Sequence, residues 1–172
     1  MKQILISIKP KWVAKILTGH KTLELRKTAP KELPCEVFIY CTKGDYIGYL
    51  PKRCVGKVLA KFVLNRVDER HILPTERMLP FNKSVEGDLE NLCLTKEQVI
   101  EYGNGEDYYA KIWHISDLRI FNPKELSEFL VKNTCRSCPY RHSPNRDMCD
   151  ICEGLKPMTR APQSWCYVEE SL

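Results

Sequence analysis

Three charged residues near the start of the chain have the types and the spacing of a binding or catalytic site. Lys21, Glu24 and Arg26 lie in the segment 19–26, which reads Gly-His-Lys-Thr-Leu-Glu-Leu-Arg. In an extended strand alternate side chains point to the same side, so Glu24 and Arg26 would share one face with Thr22. A carboxylate beside a guanidinium and an ammonium group can bind phosphate and base edges, or can transfer protons in a reaction.

Four cysteines in the C-terminal third have the spacing of a metal site. Cys135 and Cys138 form one C-x-x-C pair, and Cys149 and Cys152 form a second pair after ten intervening residues. Two such pairs predict a closed tetrahedral shell of four thiolates, so we expect a structural zinc ion rather than a catalytic one. An iron–sulfur cluster, or His142 in place of one thiolate, is the alternative. Disulfides would need an oxidising compartment that nothing else in the sequence indicates.

A strand–helix–strand unit is predicted around the charged residues. Gly19 suits the positive-φ position that ends a helix, so residues 10–18 should form a helix that stops just before the charged segment. The remaining pattern predicts strands at 3–8, 22–27, 35–41, 54–66, 108–121 and 164–168, and further helices at 95–102 and 123–131. The polar stretch 68–93 is expected to be a long loop. Many short strands with few helices favour an α+β fold, in the form of a small mixed β-barrel with short peripheral helices.

Four stretches of the sequence carry a resemblance to one family. They are Leu5–Pro10 at the start, the G-x-K-x-x-E-x-R pattern of 19–26, the apolar stretch 37–40, and the ending 161–168. In these stretches the chain resembles the ASCH family of small β-barrels, which are related to the PUA domains that bind RNA. The ending also resembles that of phage and prophage members. The resemblance implies a PUA-like barrel that binds RNA.

The resemblance and the cysteine spacing together divide the chain into three parts. We expect an ASCH-type barrel in 1–131, a four-cysteine zinc knuckle inserted at 132–157, and a C-terminal strand in 158–172 that returns to the barrel. Zinc knuckles bind either nucleic acid or protein. A protein partner docked on the knuckle is therefore an alternative to nucleic-acid binding.

The distribution of charge indicates a polyanionic partner. The chain of 172 residues carries a formal net charge of +5, yet residues 1–61 alone hold 13 Lys and Arg against 4 Asp and Glu. Such a positive field attracts polyanions, and nucleic acid is the commonest of these inside a cell. No apolar run approaches the ~18–20 residues that a membrane span requires, and no signal-peptide pattern precedes the first strand. We therefore expect a cytoplasmic protein without a membrane partner.

In the binding interpretation the motif forms part of a cleft for RNA or a modified nucleoside. Lys21 and Arg26 would contact phosphate, and Glu24 would orient Arg26 or accept a hydrogen bond from a base amino group. The resemblance places the first strand and helix along the same cleft, where Tyr40 or Trp12 would stack on a base. The predicted nucleic-acid-binding residues are Ser7, Lys9, Lys15, Lys21, Glu24, Arg26 and Tyr40. A purely structural ion pair between Glu24 and Arg26 is the alternative.

The resemblance also raises two enzymatic alternatives. Some small ASCH members are amidohydrolases that remove an acetyl group from modified cytidine, and ribonuclease activity has been attributed to others. The amidohydrolases use a lysine, a threonine three residues later and a distant glutamate. Lys21 matches the lysine, whereas Glu24 stands in the place of the threonine, and Glu86, Asp88 or Glu90 would supply the distant carboxylate. If the chain is an enzyme, Lys21 and Glu24 are its predicted catalytic residues, with Lys21 stabilising charge on the phosphorane of a ribonuclease.

Overall fold

Ten strands in two sheets form the framework of the computed structural model, which describes residues 1–73, 85–132 and 154–171. The strands are β1 (Lys2–Ile8), β2 (Leu23–Arg26), β3 (Cys35–Cys41), β4 (Val58–Leu64), β5 (Val67–Ile72), β6 (Tyr108–His114), β7 (Ser116–Lys124), β8 (Phe129–Lys132), β9 (Leu155–Pro157) and β10 (Trp165–Glu170). The helices are α1 (Pro10–Leu17), α2 (Leu89–Leu92) and α3 (Lys96–Tyr102), with 3₁₀ turns at Lys52–Cys54, Val85–Asp88 and Leu126–Glu128. The predicted α+β class is confirmed. None of the helices within the described ranges is long and apolar enough to cross a membrane.

The larger sheet has seven strands in the order β7-β4-β3-β1-β10-β8-β9. β1 lies at its centre, parallel to β3 and antiparallel to β10. Ile4, Ile6 and Ile8 of β1 pack with Val13 of α1 in a first apolar cluster, and Leu5 packs in a second cluster behind the sheet. A strand that is buried on both faces needs a continuous apolar run, which explains why the sequence of β1 shows little alternation.

The smaller sheet has three antiparallel strands in the order β2-β6-β5. One of its faces carries a third apolar cluster, in which Leu23 and Leu25 of β2 pack with Leu92 of α2 and Val99 of α3. The other face turns toward the first cluster, because Trp113 of β6 is buried there. The smaller sheet therefore holds the charged segment of β2 against α1 and the larger sheet.

The expectation of a closed barrel is wrong for the described residues, because their backbone ladders form two separate sheets. The predicted strand 108–121 is in fact two strands that belong to different sheets. β6 pairs with β2 and β5, whereas β7 pairs with β4. The chain passes from one sheet to the other near Asp117, which has a φ of +49°. Because a positive φ at a non-glycine residue has no strong sequence signal, the break was not predicted.

The predicted helix at 123–131 does not form. β7 continues to Lys124, a 3₁₀ turn follows, and Phe129 begins β8. Phe129 is buried in the second cluster and pairs with Glu170 of β10. Tertiary packing of this one aromatic side chain therefore overrides the local helical pattern.

The predicted loop at 68–93 contains β5 and α2 in its described part. β5 is rich in charged residues, which made it look like a loop. Its charges are paired, since Arg70 forms salt bridges with Asp68 at 3.3 Å and with Asp88 at 2.9 Å. The neighbouring predicted strand at 54–66 begins later than expected, at the first residue of β4.

The segment 133–153, which holds the four spaced cysteines, lies outside the described residues. Both of its ends are described. β8 and β9 pair antiparallel, with Lys132 opposite Leu155. The chain therefore leaves and re-enters the larger sheet at neighbouring positions, and the predicted zinc knuckle stays a prediction.

Candidate functional site

The turn after α1 places Lys21 beneath that helix. Gly19 has a φ of +77°, and its N–H donates to the Ile16 carbonyl at 2.9 Å, so the predicted helix end is confirmed. The Lys21 N–H then donates to the Lys15 carbonyl at 3.0 Å. This bond folds the chain back under the last turn of α1 and brings it into β2.

β2 has the predicted alternation of side chains, but it is buried on both faces. Leu23 and Leu25 pack in the third cluster. Glu24 and Arg26 point the other way, and Glu24 lies directly opposite Trp113 of β6. The sequence predicted a charged face open to a ligand, whereas the structure covers that face with α1 and the larger sheet.

Lys21, Glu24 and Arg26 form one buried ion network, called the charged triad below. Their exposed fractions are 2%, 7% and 8%. Glu24 Oε2 is 3.2 Å from Lys21 Nζ, and Glu24 Oε1 is 3.0 Å from Arg26 Nη2, so each carboxylate oxygen has its own cation. A buried charge that loses its partner is strongly destabilising, so the triad must be intact for the fold to be stable.

Lys21 connects the helices on either side of the triad. Its Nζ donates to the carbonyl of Leu92, at the end of α2, at 2.7 Å. The same Nζ lies 5.6 Å from the centre of the Trp12 ring. The Nζ atoms of Lys11 and Lys15 lie 4.8 and 5.6 Å from the centre of that ring. Because the hydrogen bonds of Lys21 go to protein groups, this ammonium group positions the rest of the triad rather than facing a ligand.

Arg26 reaches from the smaller sheet to the larger one and keeps one donor unused. Its Nη2 donates to the carbonyl of Ser7, in β1, at 2.8 Å, and Nη1 lies 3.4 Å from Ser164 Oγ. Its Nε–H is buried and has no hydrogen-bond partner, unlike every other buried side-chain nitrogen or oxygen in the described residues. An unsatisfied buried donor is costly, so this N–H needs an acceptor such as a water molecule or a bound ligand.

Tyr102, at the end of α3, lies beside this unused donor. Burial raises the pKa of its phenol, and the Arg26 guanidinium partly opposes that rise through its charge and through a hydrogen bond with the phenol. The residue is nevertheless 38% exposed, so its ring is both next to the triad and open to solvent. Lys27 Nζ lies 5.5 Å from the Tyr102 ring and 5.8 Å from the Tyr108 ring. The sequence did not single out Tyr102, because nothing local distinguishes it from an ordinary surface tyrosine.

The chain's ending packs against the same site. Ser7 Oγ donates to the carbonyl of Pro162 at 2.7 Å. Trp165 Nε1 donates at 3.0 Å to Oγ1 of Thr28, a residue that lies just after β2. Trp165 also meets Trp113 edge-on, with 5.8 Å between ring centres. Two stretches that carry the ASCH resemblance, at opposite ends of the sequence, are therefore in contact around the charged triad.

The other predicted binding residues are not all brought to the triad. Lys9 is exposed at the start of α1, whereas Lys15 is half-buried, with its Nζ 5.6 Å from the Trp12 ring that Lys21 also approaches. Tyr40 is only 6% exposed and packs in the second cluster with Leu5, behind the sheet from α1. The prediction that Tyr40 stacks on a base is therefore corrected, because β3, like β1, is buried on both faces.

The predicted distant carboxylate has no counterpart at the triad in the described structure. Asp88 is paired with Arg70 at 2.9 Å. Glu90 is exposed, and the side chain of Glu86 is outside the described part. Lys21 itself is held by Glu24 and by a backbone carbonyl.

The predicted metal ligands are not in the described part of the chain, since Cys135, Cys138, Cys149 and Cys152 all belong to the segment 133–153. Within residues 1–73, 85–132 and 154–171, no group of three His, Cys, Asp or Glu side chains is placed to hold a metal ion.

The fold is a mixed α+β arrangement that is similar to solved ASCH structures. The chain is similar to the solved structure of ASCH from Zymomonas mobilis, with a TM-score of 0.52 and 21% identity over 73% of this chain and 74% of that one. A serine-to-alanine variant of the Zymomonas mobilis protein matches 98% of this chain and 89% of its own, with a TM-score of 0.58 and 17% identity. A tyrosine-to-phenylalanine variant of the same protein matches 73% of this chain and 77% of its own, with a TM-score of 0.51 and 17% identity. No protein-family model matches the chain, and no curated protein matches it either.

Proposed function

We propose that the chain is a member of the ASCH family, of the phage and prophage type, and that it binds single-stranded RNA at Arg26 and Tyr102. The observation that carries this proposal is the buried Arg26 Nε–H without an acceptor. A phosphate or base oxygen would satisfy that donor, and a hydrogen bond from a charged group to such an oxygen is a strong one. The ASCH fold supports the same function through its relation to PUA domains.

The residues in and around the triad have different roles in binding. Arg26 contacts phosphate or a base acceptor, and Tyr102 offers its exposed ring for stacking. Lys27, beside that ring, neutralises a neighbouring phosphate. Glu24 and Lys21 stay buried and hold Arg26 in place. A cation next to an aromatic platform is the usual combination in single-strand recognition.

The proposal is tested by fluorescence anisotropy with an end-labelled twelve-nucleotide RNA. Arg26→Lys keeps the charge but removes Nε, and Tyr102→Leu removes the stacking ring. Because base–aromatic stacking is worth about 1–3 kcal/mol, Tyr102→Leu should weaken binding by about 5- to 150-fold. Tyr109→Leu is the matched control, since Tyr109 is also an exposed tyrosine and stacks on His71 rather than beside the triad.

The outcome contradicts the proposal if Arg26→Lys and Tyr102→Leu bind RNA as the wild type does. Thermal unfolding of each variant distinguishes lost binding from lost folding. Because Tyr102 is partly exposed, Tyr102→Leu should remain folded, so its result still tests the proposal if Arg26→Lys unfolds. If the wild type also binds no RNA but binds a modified nucleoside, the ligand of this site is the nucleoside and not RNA.

A hydrolase acting on RNA or on an acylated nucleoside is the alternative function. It is tested in the same samples, run on a denaturing gel and analysed for released acetate. The present proposal expects intact RNA and no acetate. Shortened RNA or released acetate that disappears in Lys21→Met, while circular dichroism shows that variant still folded, would make the chain an enzyme, whereas a product that persists in that variant would come from a contaminant.

We further propose a structural zinc ion held by Cys135, Cys138, Cys149 and Cys152. The support is their spacing, because two C-x-x-C pairs supply the tetrahedral thiolate shell that zinc prefers. Purified protein should contain about one zinc per chain, and Cys138→Ser should lose it while Cys54→Ser keeps it. Metal-free wild-type protein would contradict the proposal. Thiolate ligands also fit the reducing cytoplasm in which we place the protein.

A further inference from the structure

The basic residues of the first third that lack an acidic partner gather on one surface. Lys2, Lys57 and Lys61 form salt bridges with carboxylates, as the two cations of the triad do. Of the eight basic side chains of residues 1–61 without a carboxylate partner in the described structure, six lie in α1, at the residue just before it, or in the loop 42–57. These six are Lys9, Lys11, Lys15, Lys43, Lys52 and Arg53.

α1 and the loop 42–57 lie side by side on one face of the larger sheet. Leu50 and Cys54 of the loop pack against the first cluster, as Trp12 of α1 does. A Cβ built on Gly44 would lie 3.8 Å from Pro10 Cδ, so the loop touches the first turn of α1. The two elements therefore form a continuous surface that begins next to Lys21, at the end of α1, and runs past its start into the loop.

This surface, called the basic track below, has almost no negative charge. Asp45 is the only acidic residue in 9–18 and 42–57. Lys11 and Lys15 stand one helical turn apart on the same Trp12 ring, which places like charges together at a cost to stability. An anionic partner would offset that repulsion.

The far end of the basic track also carries an exposed aromatic ring. Tyr49 is 44% exposed in the loop and follows Gly48, which has a φ of +77°. A surface that carries both exposed cations and an exposed aromatic ring suits a nucleic-acid strand better than an acidic protein, because every base has a face that can stack. Lys43, Lys52 and Arg53 are exposed cations of the same loop.

We infer that the basic track binds the phosphodiester backbone of the same RNA, so that the ligand is a strand of several nucleotides rather than one nucleotide. The inference rests on the proposed function at Arg26 and Tyr102. The eight residues of α1 span about 12 Å, which corresponds to about three to four phosphates at the spacing of a stacked strand. The loop extends the path beyond that length.

The experiment compares two triple variants that each remove three positive charges. The first is Lys43→Gln, Lys52→Gln and Arg53→Gln in the basic track. The matched control is Arg119→Gln, Lys156→Gln and Arg160→Gln, which are exposed and lie outside the track. Affinity is measured for a twelve-nucleotide RNA over a series of salt concentrations, and for a trinucleotide by competition. Arg26→Lys is measured alongside, and vesicles of phosphatidylserine serve as a second anionic probe.

The track variant should bind the longer RNA about tenfold more weakly, with a salt slope smaller by about 2, since each phosphate contact on a single strand contributes about 0.7. Its affinity for the trinucleotide should match that of the wild type, and the control variant should change neither. If the track variant behaves like the control while Arg26→Lys still weakens binding, the inference is wrong and the proposed function stands. If the wild type binds neither RNA, or binds only the vesicles, both are overturned.

Discussion

Arg26 donates a hydrogen bond to the carbonyl of Ser7 at 2.8 Å, and this contact joins the edge strand of the smaller sheet to the central strand of the larger one. The residue that we place at the centre of ligand binding is therefore also one of the links between the two sheets. Its Nη2 is bonded to protein groups, including Glu24 Oε1, whereas its Nε–H has no partner in the described structure. One guanidinium can do both because its five donors point in fixed, separate directions.

Removing this link should destabilise the protein. Arg26→Ala leaves Glu24 buried with one cation fewer, and breaking a buried pair in this way typically costs about 3–5 kcal/mol. Arg26→Lys should cost less, because a lysine keeps the charge beside Glu24. Urea denaturation followed by circular dichroism measures both losses. A loss below about 1 kcal/mol for Arg26→Ala, the range of an exposed pair, would show that the network is not buried in solution.

The charged triad should behave as a unit. Lys21→Met and Glu24→Gln each leave a buried group without its partner, so each alone should be destabilising. Together they remove both members of the 3.2 Å pair, and the double variant should lose less stability than the sum of the single losses, by about 0.5–3 kcal/mol. A double-variant cycle of unfolding free energies gives this difference. Strict additivity would mean that Lys21 and Glu24 do not interact.

Acid should weaken the protein partly through Asp68. Hydrogen bonds from Arg66 lower the pKa of Asp68 to about 2, with His114 contributing in the same direction. Because this folded-state pKa is below the unfolded value of about 3.9, the stabilisation is fully present above about pH 4 and is lost as the pH falls through about 2. Asp68→Asn should therefore lower the free energy of unfolding by about 1–2 kcal/mol near neutral pH and by less in acid.

The control for this pH dependence is Asp45→Asn, since Asp45 is exposed and has no cationic partner in the described structure. Its effect on stability should be small at every pH. If Asp68→Asn lowers stability by the same amount at pH 2 and pH 7, ionisation of Asp68 is not the cause.

The segment 133–153 should be removable without loss of the fold. Lys132 and Leu155 are already paired across β8 and β9, so an Asn-Gly turn that replaces this segment together with Gly154 can close the hairpin between them. The shortened protein should bind no zinc, should keep its near-ultraviolet circular dichroism, and should bind RNA as the full chain does. An unfolded product would mean that the excised segment is part of the core rather than an insertion.

The sequence predicted the local features well. Gly19 follows α1 with a positive φ, as expected, and α3 (Lys96–Tyr102) forms where a helix was predicted at 95–102. The alternation of β2 is also as predicted. Each of these features depends on residues within a few positions of one another, which is the range over which composition and spacing carry information.

The burial of the site could not be predicted from the sequence. Lys21 is covered because the carbonyl of Leu92, 71 residues away, receives its hydrogen bond. Tyr40 looked like a stacking residue because the second cluster behind β3 is formed by distant parts of the chain, including Phe129. Tyr102 was missed for the same reason, since its role follows from contact with Arg26 alone. Contacts between residues that are far apart in sequence leave no local pattern.

The most direct test of the central claim is the NMR signal of the Arg26 Nε–H during a titration with single-stranded RNA. The signal is assigned from its absence in Arg26→Lys. We predict a saturable downfield shift as the unused donor gains an acceptor, with more RNA required in Tyr102→Leu than in Tyr109→Leu. A signal that does not move while the rest of the protein saturates with RNA would contradict the account, because RNA would then bind without using Arg26.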